Sequence, residues 1–151
     1  NAHLSDDTKA KIRAMLREIS EIESIGDSCF NMARTISRRV KGTENFTSRQ
    51  YENIHQMMEL TNTALTEMNY MFTHDKQTLN PDRSFTIENE INNYRNQLRK
   101  QNIDAIENNE YTYSIGTMYM DIIQECEKLG DYVVNVVEAR MNTRQKDMQE
   151  A

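Results

Sequence analysis

The sequence has 151 residues, of which 37% are hydrophobic, and a formal net charge of −6. A chain of this length usually forms one domain and is long enough to bury a hydrophobic core. The acidic balance argues against a nucleic-acid partner, since phosphate backbones are bound by clustered Lys and Arg. No apolar run reaches the ~18 residues that cross a bilayer, and no signal peptide is visible.

The chain is poor in residues that make turns, with four Gly and one Pro. Strands need frequent turns, so this composition favours long helices with few connections. We therefore predict an all-α protein, an antiparallel up-and-down helical bundle.

The first predicted helix runs from about Asp6 to Val40. Its apolar positions follow one another at steps of three and four, as in a heptad seam: Ile12, Met15, Ile19, Ile22, Gly26, Cys29, Ala33, Ile36 and Val40. A seam of this kind predicts a face packed in a bundle core. Cys29, like Cys126 in the fourth helix, is accordingly predicted to be a buried, reduced thiol. Gly42 is predicted to end this helix.

The second predicted helix opens at Thr47, since Thr47 and Gln50 have the spacing of a capping box. Its apolar seam continues to Phe72. Residues 75–82, which include Asn80-Pro81, form the predicted loop that follows.

The third and fourth predicted helices cover about residues 84–105 and 110–142, with a break at Asn108-Asn109. Residues 143–151 are predicted to be a frayed polar tail. Short connections between long helices predict antiparallel neighbours.

An acidic motif occurs twice in the sequence, at 21–31 and 125–135. The matched pairs are Glu21 and Glu125, Glu23 and Glu127, Gly26 and Gly130, Asp27 and Asp131, and Asn31 and Asn135. Five identities at a constant spacing indicate an internal repeat.

The motif carries a ridge of oxygen donors on each helix. Carboxylates at i and i+4 lie ~5–6 Å apart on one helix face and repel each other. Carboxylate and amide oxygens are ligands of hard cations. The pattern therefore predicts metal ligands at Glu23, Asp27, Asn31, Glu127, Asp131 and Asn135. The alternative is a solvated acidic face, and the two glycines are assigned to helix packing.

One further pattern, Glu52-Asn53-Ile54-His55, has the Glu-x-x-His spacing of di-iron bundles. Such sites need a second copy of the pattern, which the sequence does not contain. His55 is therefore predicted to be a surface side chain.

The stretches 21–27 and 125–131 resemble the Glu-Arg-Ile-Gly-Asp motif of the PhoU family, with Ser24 and Lys128 at the arginine position. The resemblance implies a tandem of three-helix repeats. Residues 5–41 would be the last helix of a first repeat and 44–142 a complete second repeat, in a single domain of residues 1–151. Residues 1–4 would be disordered or foreign to the natural chain.

The resemblance also implies iron, zinc or another divalent metal on the acidic ridges, although no cofactor is certain. It adds Glu88, from the helix before the motif helix, to the ligands Glu23, Asp27, Glu127 and Asp131. Asn92 stands where the family has Asp, and a neutral amide is a weaker ligand than a carboxylate.

The function implied is that of a regulatory, non-enzymatic domain in phosphate transport. The missing opening helices favour the form fused behind a sodium/phosphate cotransporter, on the cytoplasmic side of the bacterial inner membrane. Its partner would be the membrane phosphate transporter domain of the same full-length chain, with a homo-oligomer as a further expectation. The alternatives are a carboxylate-bridged di-metal enzyme and a metal-free structural helical adaptor.

Overall fold

The computed structural model describes residues 3–75 and 78–149, and for 143–149 the backbone only. It contains four helices, α1 (Asp6–Lys41), α2 (Ser48–Thr73), α3 (Asp82–Glu107) and α4 (Tyr113–Gln149). No strand occurs in those two stretches. The predicted all-α bundle is therefore confirmed. The expectation for residues 1 and 2, and that for the side chains of the tail, lie outside the described residues.

The helix ends follow local capping chemistry. Thr47 and Gln50 form the predicted capping box, in which each side chain accepts a hydrogen bond from the other's backbone N–H. The backbone N–H of Gly42 donates to the carbonyls of Arg38 and Arg39 at the end of α1. At the predicted break before α4, Asn109 adopts a φ of 56°.

The fourth helix differs in extent from its prediction. It begins at Tyr113 rather than near residue 110, because Thr112 Oγ1 accepts from the N–H of Ile115 and acts as the cap. It continues to Gln149 rather than stopping at about residue 142.

The hydrophobic core lies between α2, α3 and α4, which all contact one another, while α1 packs on the outside of α4. Met57 of α2, Ile91 and Leu98 of α3, and Ile123 of α4 are each no more than 1% exposed. The apolar seams predicted for α3 and α4 therefore lie in this core.

The predicted packing of α1 is wrong. Its buried residues are Ile25, Ser28, Met32 and Thr35, which face α4. The strongly apolar stripe lies about 100° further round the helix, since its positions follow the buried ones by one residue. Its large side chains are 38–66% exposed: Ile12, Met15, Leu16, Ile19, Ile22, Phe30, Ile36 and Val40. We call this stripe, together with Gly26 and Ala33, the outer face of α1.

The cysteine prediction is half confirmed for the same reason. Cys126 of α4 is buried in the hydrophobic core, and this burial raises the pKa of its thiol to about 11. Cys29 lies on the exposed side of α1, so the prediction of a buried thiol there is wrong. A heptad pattern identifies which stripe prefers burial, but among the described residues α1 packs mainly against α4, and α4 covers a different stripe.

No helix in the described ranges is long and apolar enough to cross a membrane. His55 is exposed, as predicted, and its Nε2 lies 3.1 Å from Glu59 Oε1 one turn further along α2.

Candidate functional site

The two copies of the acidic motif face each other across the α1–α4 interface. Asn31 Nδ2 in α1 lies 3.5 Å from Glu125 Oε1 in α4, and Asn135 Nδ2 in α4 lies 3.2 Å from Glu21 Oε2 in α1. Each Asn donates to the first Glu of the other copy. The reciprocal pairing shows that α1 and α4 run antiparallel about a pseudo-two-fold axis.

The same antiparallel register brings further charged pairs together towards the helix ends. Arg17 lies 3.4 Å from Glu138, and Arg38 lies 3.5 Å from Asp121. Both pairs are exposed, and such pairs typically contribute no more than about 1 kcal/mol each. They fix register more than they stabilise the fold.

The two motif glycines have different surroundings. A Cβ at Gly130 would lie 3.2 Å from Ile91 Cδ1, so this glycine allows α3 to approach α4 closely. A Cβ at Gly26 would meet nothing within 4 Å. The packing role assigned from the sequence therefore holds for Gly130 within this chain, and Gly26 has no described neighbour that requires it.

The acidic ridge of α4 meets a third carboxylate from α3. Glu127 and Asp131 share this surface with Glu88, and burial together with the two neighbouring carboxylates raises the pKa of Asp131 to about 7. Near neutral pH, Asp131 is therefore partly protonated, and its single carboxyl proton can be donated to Glu127 or to Glu88. We call Glu88, Glu127 and Asp131 the carboxyl cluster.

Asn92 extends the carboxyl cluster along α3. Its Nδ2 lies 2.6 Å from Glu88 Oε1, one helical turn away. Its buried Oδ1 has no hydrogen-bond partner among the described residues. The cluster thus ends in an unused oxygen acceptor.

The chemistry of these donors suits a hard cation, since all are oxygens and three are carboxyl groups. Their present arrangement does not, because the described residues contain no group of three or more His, Cys, Asp or Glu side chains placed to hold a metal ion. In this arrangement, protonation of Asp131 reduces the repulsion among the three carboxyl groups.

The ridge of α1 has no equivalent cluster. Glu23 and Asp27 are exposed on α1. In the described structure no further helix lies beside them as α3 lies beside Glu127 and Asp131. Asn31 and Asn135 point to the opposite motif helix. Of the seven predicted metal ligands, the structure therefore brings together Glu88, Glu127 and Asp131.

Two residues of the interface were quoted in the motif but not predicted as functional. Glu21 and Glu125 accept the reciprocal Asn hydrogen bonds. The repeat could have predicted these pairs. Each copy has a Glu and an Asn ten residues apart, and two such helices that pack antiparallel bring each Asn to the Glu of the other helix.

Comparison with known proteins adds two findings. The family model described as the PhoU domain matches residues 54–139, from α2 to α4. Two curated proteins from strains of Streptococcus pneumoniae, each named a phosphate-specific transport system accessory protein PhoU homolog, are 24% identical over 128 residues, which is 83% of this chain and 56% of each relative. The chain thus spans little more than half the length of these relatives. No solved structure gives a significant match.

Proposed function

The chain belongs to the PhoU domain family, and from this membership we propose that it is a regulatory interaction module of phosphate transport. The match over residues 54–139 carries the proposal, together with the curated relatives named as accessory proteins of a transport system. An accessory protein acts by binding, so we assign the activity to helical faces and not to a reaction centre. The crosswise hydrogen bonds between α1 and α4 support this view, because they hold the exposed faces of these two helices in fixed positions relative to each other.

The partner we propose is a membrane phosphate transporter domain, carried in the same full-length chain as part of a sodium/phosphate cotransporter. This places the domain on the cytoplasmic side of the bacterial inner membrane. The support is that the relatives are named accessory proteins of phosphate-specific transport, together with the motif resemblance.

The uptake of radioactive phosphate tests the proposal. The natural full-length gene is compared with one that lacks the segment encoding residues 3–149, at high and at low external phosphate. We expect the deletion to abolish the change of uptake rate with external phosphate while transport itself continues. Uptake that responds to phosphate equally in both strains would overturn the regulatory proposal.

Metal binding at the carboxyl cluster stays a separate prediction, supported by the oxygen donors and the unused Asn92 Oδ1. Titration calorimetry with Zn²⁺, Fe²⁺ and Mn²⁺ at pH 8 tests it, because Asp131 is ionised there. Binding to the wild-type chain that is lost in Asp131→Asn supports the cluster. Asp27→Asn is the matched control at the repeat-equivalent, exposed position. Binding that is absent, or equal in all three proteins, contradicts the prediction.

Two other functions predict different results. A carboxylate-bridged di-metal enzyme would retain redox-active iron through purification and consume oxygen with a substrate, which elemental analysis and oxidase assays would detect. A metal-free adaptor would show unchanged metal content and unchanged phosphate uptake when Asp27 and Asp131 are both replaced by Asn.

A further inference from the structure

A polar groove with a volume of about 240 Å³ lies between α1 and α4, apart from the carboxyl cluster. All its lining side chains are polar. They include Arg34, Thr35 and Arg38 of α1, and Asp121, Glu125 and Lys128 of α4. We call this the basic groove.

The basic groove and the outer face lie on opposite flanks of α1. Arg34 precedes the buried Thr35 by one residue and Ile36 of the outer face follows it by one, so the two flanks are ~100° to either side of the α4 contact. The complete repeat shows whether the groove flank is normally covered. Glu138 of α4, the equivalent of Arg34, keeps a side chain that is 46% exposed although α2 and α3 both pack on α4. A complete repeat therefore leaves this flank open.

Three cations meet in the basic groove, although the protein has a net charge of −6. Arg38 Nη2 lies 3.5 Å from Asp121 Oδ2, and Lys128 Nζ lies 3.5 Å from Glu125 Oε1. Arg34 forms no ion pair with any carboxylate in the described part of the chain. The groove therefore has one positive charge more than its carboxylates neutralise.

The internal repeat shows that the packing of the motif helices does not require these cations. None of the three has a cationic equivalent in the other copy: Arg34 matches Glu138, Arg38 matches Asn142, and Lys128 matches Ser24. On that flank Arg17 lies 3.4 Å from Glu138, and negative charges are in excess. The two copies pack on each other with opposite groove charges, so the cations of the basic groove are available to bind an anion.

The hydrogen-bonding groups of the groove narrow the class of anion. Arg and Lys side chains donate to oxyanions. Thr35 is 5% exposed, and its Oγ1 accepts from Arg38 Nη2 at 3.3 Å, which leaves the hydroxyl proton of Thr35 to donate. Asp121 and Glu125 can only accept, so they repel an anion without a proton and accept a hydrogen bond from an anion that has one.

Inorganic phosphate is the common oxyanion with this property. It keeps a hydroxyl proton at pH 8, whereas sulfate has none and a phosphate monoester has lost its second proton, with a pKa of about 6. A groove of cations with two carboxylate acceptors therefore matches inorganic phosphate better than either.

We propose that the basic groove binds inorganic phosphate, with Arg34, Arg38 and Lys128 on its oxygens and Asp121 or Glu125 accepting from its P–OH group. A volume of about 240 Å³ equals that of about eight water molecules at ~30 Å³ each, so the ion fits with part of its hydration shell. The site is open and its cations stay partly hydrated, so we expect a dissociation constant of roughly 0.1–1 mM. That this phosphate is the signal of the module rests on the proposed function.

Titration calorimetry of the chain at pH 8, in metal-free buffer of low ionic strength, tests the binding. Inorganic phosphate is compared with sulfate and methyl phosphate, which carry the same charge at this pH but no proton. Phosphate should bind about tenfold more tightly than either, because the analogues leave the carboxylates without a donor. Added sodium chloride should weaken the binding, since the attraction is between exposed charges.

Three variants test the assignment of residues. Arg34→Gln should weaken phosphate binding about tenfold, because it removes a charged donor. Arg17→Gln is the matched control, an exposed arginine of α1 on the other flank, and should leave the affinity within about twofold of wild type. Asp121→Asn should improve sulfate binding and so reduce the preference for phosphate, since an amide can donate to sulfate. Circular dichroism checks that each variant is folded.

Four results would contradict the proposal: no binding at 10 mM phosphate, equal affinity for phosphate and sulfate, unchanged affinity in Arg34→Gln, and an equal loss in Arg17→Gln. The uptake experiment with the full-length gene separates this inference from the proposed function. If deletion of the domain abolishes the uptake response but the chain binds no phosphate, the inference fails and the proposed function stands. If the chain binds phosphate and the deletion has no effect, the reverse holds.

Discussion

Replacing Asp131 with Asn tests the carboxyl cluster directly. The pKa of Asp131 rises from its ordinary value of 3.8 to about 7, first through burial and then through Glu127 and Glu88. The folded state therefore prefers the protonated carboxyl group. The contribution of Asp131 to the free energy of unfolding is therefore most favourable below pH 4, and it is lost as the pH rises from about 4 to about 7.

The size of the effect follows from the shift. A shift of about three pKa units corresponds to an upper limit of ~4 kcal/mol at pH 8, since one unit is worth ~1.4 kcal/mol. Asp131 is only partly buried, and solvent screening reduces this to about 1–2 kcal/mol. Because Asn does not ionise, Asp131→Asn should be more stable than the wild type by that amount at pH 8 and within ~0.5 kcal/mol of it at pH 5.

Urea denaturation at pH 5, 6, 7 and 8, with protein near 1 μM, measures this difference. Glu88→Gln should give a smaller gain at pH 8, because it removes one of the two neighbouring carboxylates. Asp27→Asn, the exposed counterpart on α1, should change stability little at any pH. A constant difference between Asp131→Asn and wild type across the pH range, or a loss of stability at pH 8, would refute the assignment.

Three further predictions concern packing and are checked by thermal or urea unfolding. Gly26→Ala should stabilise the chain by about 1 kcal/mol, because the new Cβ meets nothing and Ala is the better helix former. Gly116→Ala should destabilise the chain by about 1–3 kcal/mol, because its Cβ would lie 2.6 Å from an isoleucine methyl group. A loss of stability in Gly26→Ala or a gain in Gly116→Ala would contradict the packing described. Leu98→Ala should cost about 2–5 kcal/mol, since Leu98 is 1% exposed in the core, and a cost below 1 kcal/mol would mean that this core is loosely packed. Asn135→Ala should cost about 1 kcal/mol, and a double-mutant cycle with Glu21→Gln should show coupling between the two residues. Additive effects would mean that the hydrogen bond between Asn135 and Glu21 does not stabilise the fold.

Much of the fold could be predicted from the sequence because it depends on local chemistry. The capping box at Thr47 and Gln50 marks the start of α2 through two side chains three residues apart. The spacing of Ile87, Ile91 and Leu98 identifies the stripe of α3 that is buried. The repeat of the acidic motif is likewise visible without coordinates.

Less of the candidate site could be predicted from the sequence. The sequence pointed to two equivalent acidic ridges, but Asp131 has Glu88 of α3 beside it while Asp27 is exposed. The crosswise pairs of Asn31 with Glu125 and of Asn135 with Glu21 depend on the antiparallel docking of α1 on α4. Equal motifs acquire unequal surroundings when only one of them has a third helix next to it.

The amino-acid sequence by itself therefore determined four amphipathic helices, their main boundaries and the repeated motif, since hydrophobic periodicity and capping act over a few residues. Only the tertiary structure decided which stripe of α1 is buried and which carboxylates meet. α1 has an apolar stripe and a mixed stripe, and α4 covers the mixed one through Ile25 and Met32. Burial is a property of both surfaces in a contact, so the pattern of one helix does not specify it.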